Sequence, residues 1–506
     1  MKDLREKAIR GGLAKTVAQG TNFVLRVGSL MVLARLLDPK AFGLVGMVTA
    51  VIGVLNLFRD FGLSTATVQR ASVTEEQIST LFWINILVGT ILGLLSAAGA
   101  PFLVAFYHEP RLLWVTVALA TGFLFNAAGV QHSALLQRQM RFTALSVIDI
   151  LSLAISTAVG IGMAVRGFGY WALVAMTLLG PLVSTICVWL LTKWVPGGPH
   201  KRVGIRSMMR FGGTLTLNGL VVYIAYNLEK VLLGRFWGAE TVGIYGRAYQ
   251  LVNIPTDNLN SAVGGVSFAA LSRLQEEPQR LRSYFLKAYS LVLALTLPTT
   301  IACALFANDL IPVLLGPKWK EAIPIFRLLA PTILIFAMIN PFAWLLFSIG
   351  KVGRSLKIAL VIAPLVIAGY VIGLPHGPKG VALGYSVAMS LWLVPHIVWC
   401  VHGTAISPWD VARTLSRPLL SGIVAAILPF AGLVFYGHSL SPLPRLVIGV
   451  SLFLTVYLGM LLYVLGEKAF YLDIARSLRR GPPAKPAVLV SGLGGGAGVA
   501  PATSTE

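Results

Sequence analysis

The stretch LARLLDPKAFGLVGMVTAVIGVLNLFRDFGLSTATVQR, Leu33 to Arg70, decides how this chain is read. It spells the end of one apolar helix, a tight turn at Asp38-Pro39, and a second apolar helix that runs to a polar Arg59-Asp60 step. Two hundred residues later and without a gap, GRFWGAETVGIYGR (Gly234 to Arg247) repeats ARLLDPKAFGLVGM (Ala34 to Met47). Leu33, Arg35, Gly43 and Gly46 recur as Leu233, Arg235, Gly243 and Gly246, and upstream Arg10, Gly12 and Thr16 recur as Arg210, Gly212 and Thr216. Similarity at a fixed offset is the mark of an internal duplication. Duplicated helical units are a habit of membrane transporters, which place the substrate site at the interface between halves.

Working outward, the 506 residues are 56% hydrophobic and only 12% charged. Soluble domains carry about a quarter charged residues, so the chain reads as an all-α polytopic membrane protein. Its 41 Lys and Arg against 19 Asp and Glu lie between apolar runs, not clustered on an aromatic-bearing surface. That distribution orients a membrane protein and excludes a nucleic-acid partner. Cys187, Cys303 and Cys400 sit inside apolar runs without metal-ligand spacing, so neither disulfides nor a metal site is expected. The apolar run after the basic N-terminus is too long for a signal-peptide core, and the first helix is expected to be retained.

A span needs about 20 mostly apolar residues. That ruler gives six helices up to about residue 192 and eight more between about 211 and 465, fourteen in all. With the N-terminus inside, cytoplasmic segments hold 27 Lys and Arg and outer segments nine, so both termini are expected in the cytoplasm. The expected layout is an N-terminal six-helix lobe over 1–195, a basic connector over 196–210 and a second six-helix lobe over 211–402. Two appended helices over 403–466 and a cytoplasmic tail over 467–506, disordered at its end, complete it. An even number of spans separates the repeats, so they are parallel and face each other across a central cavity.

Catalysis finds no foothold. There is no GxxxxGK[ST] loop and no HExxH pairing, and the outer loops are too short for a metal-holding acidic domain. The glycines after Gly492 superficially fit a dinucleotide fingerprint, but only nine residues follow Ala497, too few for the helix and strand the motif requires. No cofactor is expected, and the chain reads as a non-enzyme.

What carries information is charge within the spans, because an ion in hydrocarbon costs about 2.5 kcal/mol or more and normally faces a partner or water. Arg26, Lys230, Arg247 and Arg59 are the candidate cations of a cavity, and Asp257, Glu229 and Asp60 the candidates for ion coupling or pairing. Asp149 reads as an interhelical cap or pair, and Arg327 as a side chain reaching the outer interface. In the repeat frame Lys230 falls one turn from the position of Arg26, so the first helix of each lobe offers a cation at similar depth. Two facing cations suit an anion held between lobes. Asn253 to Asn260, with Pro255, reads as a kinked and hydrated segment of helix 8.

Two runs carry a family resemblance: ARLLDPKAFGLVGMVTAVIGVLNLFRDFGLSTATVQR at Ala34 to Arg70, and ALLQRQMRF at Ala134 to Phe142. They resemble the polysaccharide transporter (oligosaccharide flippase) family in its colanic-acid and exopolysaccharide exporter branch. That branch belongs to the multidrug/oligosaccharidyl-lipid/polysaccharide flippase superfamily. The resemblance implies a V-shaped two-lobe fold in the bacterial inner membrane. It also implies transport of an undecaprenyl-diphosphate-linked oligosaccharide, a repeat unit of exopolysaccharide or lipopolysaccharide, from the cytoplasmic to the periplasmic leaflet. Membrane lipid and assembly proteins such as a polysaccharide polymerase are the partners it suggests. Arg26, Arg59 and Arg247 lie in helices 1, 2 and 8, where related lipid flippases carry cavity arginines. A cation-coupled drug antiporter of the same fold is the alternative, and a membrane polysaccharide polymerase a further one.

Overall fold

The computed structural model describes residues 2–59, 64, 67–68, 73–200, 219–436, 441–466, 468–469 and 471. Asp60, most of the connector and nearly all of the tail lie outside the described residues.

Every regular element among the described residues is helical. The first group is α1 (Lys2–Leu36), α2 (Pro39–Asn56), α3 (Glu75–Ala98), α4 (Ala100–Tyr107), α5 (Leu112–Arg138), α6 (Phe142–Val165) and α7 (Tyr170–Thr192). The second is α8 (Leu228–Arg273), α9 (Pro278–Leu305), α10 (Ala307–Leu314), α11 (Ala322–Leu329), α12 (Pro331–Ser348), α13 (Val352–Gly373) and α14 (Gly377–Val401). Last come α15 (Pro408–Tyr436) and α16 (Pro442–Gly459). Ten stretches among the described residues are long and apolar enough to cross a membrane. Neither α1 nor α8 is one of the ten, because polar and charged residues interrupt both.

Local chemistry sets several ends. Asp38 is extended (φ −83°, ψ 154°) and Pro39 opens α2, where its missing N–H leaves nothing unpaired. A capping box starts α3: the Thr74 hydroxyl accepts from the Gln77 N–H, and the Thr74 N–H donates to the Gln77 side chain, both at 3.2 Å. The second apolar helix, expected to run to the Arg59-Asp60 step, is shorter as α2. It stops at Asn56, where the Leu57, Phe58 and Arg59 N–H groups turn back to carbonyls only three residues earlier. The break near helix 8 falls at Gly238 (φ 81°, ψ 178°), a backbone conformation glycine alone adopts cheaply, while the chain stays helical through Pro255.

Within the first group α3 packs on α5, α5 and α6 on α7, and α1 on α6; within the second α13 packs on α14, and α8 and α9 on α12. The hairpin of α13 and α14 crosses through Gly369 and Gly373 against Gly384 and Gly380, small residues four apart that bring backbones together. The two groups join chiefly through α2 and α8. Here the glycines of the quoted stretch meet those of its echo. A Cβ on Gly43 would fall 1.6 Å from the Ala239 carbonyl oxygen, and one on Gly243 would fall 1.9 Å from that of Pro39. Positions 39 and 239, 43 and 243, thus make reciprocal contacts, as an interface around a two-fold-like axis does. Helices α15 and α16 pack against α9, and Arg445 of α16 pairs with the buried Asp309 of α10. Near the other end Arg282 grips Asp410 with two hydrogen bonds of 2.9 and 2.6 Å.

Candidate functional site

Between the two groups lies a cavity of about 1250 Å³, larger than the roughly 300–1,000 Å³ of ordinary small-molecule sites. α1, α2, α5, α6 and α8 line it, together with Tyr226 and Asn227 just before α8. It is brought there by periodicity: Gln19, Asn22 and Arg26 share a face of α1, and Gly243, Arg247, Gln250 and Ile254 a face of α8.

Three cations line the cavity, Arg26, Lys230 and Arg247, with two carboxylates, Asp149 and Asp257. Each cation has its own setting. The Lys230 ammonium donates to the Asn227 side chain at 2.7 Å, and Asn227 is itself tied to the Tyr223 carbonyl at 3.0 Å. The Arg247 guanidinium lies 4.6 Å from the centre of the Phe42 ring and donates to Gln250. Its Nε is buried without a hydrogen-bond partner. Arg26 makes no side-chain hydrogen bond among the described residues and acts electrostatically on Asp257. Donors held partly uncommitted in a cleft are ready to take an anion's oxygens, and Arg and Lys are the residue types that do so.

The other expected site residues separate. Arg59 does not line the cavity. Glu229 is fully buried away from it, with neither carboxylate oxygen hydrogen-bonded. Among the described residues it pairs with no cation, although the sequence offered it for pairing. Asp60 lies outside the described residues. Arg327 is exposed and donates to the Ala304 carbonyl at 3.2 Å, consistent with a side chain at a rim.

The end of the cavity beside the α1–α2 turn is crossed by contacts the sequence did not announce. Trp319, in the short turn Pro317–Trp319, is fully buried; its indole N–H donates to the Ala34 carbonyl at 2.8 Å and its ring meets Phe42 edge-on at 5.4 Å. Arg35 donates to the Val313 carbonyl at 2.7 Å, and Lys318 pairs with Asp38 at 2.8 Å. Tyr107 packs on Gly234. At its other end the cavity reaches Gln137 and Phe142, beside the turn between α5 and α6. Phe42 therefore touches both the cavity cation Arg247 and the closing residue Trp319. Only its aromatic character, in the first turn of the quoted stretch's second helix, hints at this in sequence.

Comparison with known proteins places these features. Residues 32–324 match the family model described as "Polysaccharide biosynthesis protein". The chain is 28% identical to the lipopolysaccharide biosynthesis protein WzxC of Escherichia coli (strain K12), over 76% of this chain and 78% of that one. It is 31% identical to the teichuronic acid biosynthesis protein TuaB of Bacillus subtilis (strain 168), over 58% and 61%. It is 23% identical to the succinoglycan biosynthesis transport protein ExoT of Rhizobium meliloti (strain 1021), over 94% and 96%. Among solved structures, a lipid II flippase, MurJ, in an inward closed conformation superposes with a TM-score of 0.74 at 13% identity, covering 92% of this chain and all of that one. An inward-facing multidrug transporter of the MATE family superposes at 0.61 with 13% identity, covering 80% and 99%. At such identities the likeness is one of fold.

Proposed function

Because the chain belongs to the polysaccharide biosynthesis protein family, we propose that it is a flippase for an undecaprenyl-diphosphate-linked oligosaccharide. The cargo moves from the cytoplasmic to the periplasmic leaflet by alternating access. The observation that carries this reading is the ring of Arg26, Lys230 and Arg247 in a cavity closed at its outer end. A diphosphate bearing sugars crosses hydrocarbon only at great cost, and a hydrated cleft with fixed cations removes most of it. The polyprenyl tail stays in lipid while the headgroup enters between the lobes. An inside-negative potential adds about 2.3 kcal/mol per elementary charge per 100 mV to the outward movement of an anion.

In this reading the chain lies in the inner membrane with both termini cytoplasmic and two parallel six-helix lobes. Fourteen spans and the internal duplication go with it, and the reciprocal contacts of Gly43 and Gly243 support the last point. The cycle needs no bond-making step by the protein. Asp257, which lines the cavity within reach of the Arg26 charge, is the residue best placed to couple flux to a proton or sodium ion. An organic-cation antiporter would want carboxylates to prevail in the cavity; here cations outnumber them.

The test is genetic. Cells carrying only Arg26→Ala/Lys230→Ala protein should stop exporting polymer and accumulate lipid-linked saccharide in the membrane. Normal polymer output from that variant would remove the cation ring from the account. Undiminished flux without ion dependence in Asp257→Asn would end its coupling role.

A further inference from the structure

The two sides of the cavity are not equivalent in how their polar groups are committed. Of the four carboxamides that line the second group's side, three are already committed: Asn227 holds Lys230, Gln250 holds Arg247, and Asn258 donates to the Ile254 carbonyl at 2.7 Å; Asn253 is the fourth. On the first group's side Gln19 and Asn22 of α1, Ser133 and Gln137 of α5 and Ser146 of α6 line the same space. None of these five side chains makes a hydrogen bond among the described residues, and the Asn22 carbonyl oxygen is buried without a partner. Buried polar groups are ordinarily paired, and one left open in a binding cleft is a place for a ligand's group.

The geometry points to a division of labour, which rests on the flippase reading: the cations Arg26, Lys230 and Arg247 hold the diphosphate, and the Gln19, Asn22 and Gln137 surface reads the sugar attached to it. A carboxamide offers two donors and an acceptor with two lone pairs, and a serine hydroxyl donates and accepts. That combination matches the hydroxyl and acetamido groups of a saccharide, whereas a diphosphate, which only accepts, has no use for an amide carbonyl. Spacing agrees. Gln19 lies on the Arg26 face of α1 but seven residues nearer its inner end, about 10 Å along the axis. A headgroup whose phosphates reach the cations thus presents its first sugars to the amides. The cavity's size leaves room for them. Gln19, Asn22 and Gln137 are accordingly specificity-determining residues for a hydroxyl- and acetamido-bearing cargo.

The experiment uses full-length protein in proteoliposomes and two probes. One is a polyprenyl-diphosphate-linked disaccharide containing N-acetylglucosamine, scored for leaflet movement; the other is inorganic pyrophosphate, scored for the rise it produces in melting temperature. Gln19→Leu/Asn22→Leu and, separately, Gln137→Leu should slow disaccharide-lipid movement by about tenfold, the effect of losing one or two well-made hydrogen bonds. Stabilisation by pyrophosphate should stay at the wild-type value, which also certifies the fold. Unchanged movement overturns the inference, and so does a parallel loss of movement and pyrophosphate stabilisation. Wild-type protein that moves no disaccharide lipid overturns the flippase reading itself, and is recognised before any variant is compared.

Discussion

Trp319→Ala should open the outer end of the cavity. What the closed state gains from Trp319 is the contact across the gap between the two groups. That contact is one hydrogen bond to the Ala34 carbonyl and one edge-on meeting with Phe42. The hydrogen bond contributes about 0.5–1.5 kcal/mol and the aromatic pair about the same. Together, about 1–3 kcal/mol shifts the balance between outward-closed and outward-open forms by roughly 5- to 150-fold. The neighbouring Lys318 and Asp38 pair is half or more exposed, with side chains 51% and 74% accessible, and contributes little. The assay is labelling of Thr49→Cys, a cavity position on α2, in protein whose three native cysteines are replaced. A membrane-impermeant maleimide is supplied from the outer side of intact cells. Labelling should accelerate within that range in Trp319→Ala and hardly at all in Lys318→Ala. A rate within twofold of the parent in Trp319→Ala would refute the assignment of this turn as the outer closure.

Other outcomes follow from the same packing. Gly43→Leu would drive a side chain into the Ala239 backbone and should yield little folded protein, whereas Gly246→Ala, with nothing within 4 Å, should melt at or above the wild-type temperature. Asp309→Asn removes the buried carboxylate that Arg445 meets and should destabilise by about 1.5–3 kcal/mol, the range for a hydrogen bond to a charged group; Asp309→Leu/Arg445→Met should recover most of the loss in the same melting experiment. Phe42→Leu removes the ring beneath Arg247 and the edge that meets Trp319. It should therefore both slow lipid movement and speed outward labelling, a pair of effects neither Arg247→Ala nor Lys318→Ala should reproduce.

Arg26, Lys230, Arg247 and Asp257 were legible because an ion amid apolar residues must find water or a partner, and all four line the cavity. The same signal could not say where each one goes. Glu229 and Lys230 are adjacent, so about 100° of helix separates them, and only one can face the cleft; the lysine does, and the glutamate turns into the bundle. Gly43 and Gly243 stood out as repeats, but that they would meet each other across the two groups is a tertiary fact. Trp319 was silent because a tryptophan in a short outer turn reads as an interfacial anchor until its indole is seen to reach Ala34. Asn22 and Gln19 were visible as polar residues four and seven before Arg26. Their significance came only from the contrast with the committed amides opposite.

Lipid movement across a defined bilayer tests the flippase function most directly. Labelled polyprenyl-diphosphate saccharide is placed in proteoliposomes, an impermeant reagent reports the exposed leaflet, and wild type is compared with Arg26→Ala/Lys230→Ala. Protein-dependent movement that the double variant loses is the predicted result. No movement with wild type, alongside uptake of an organic cation, would contradict it.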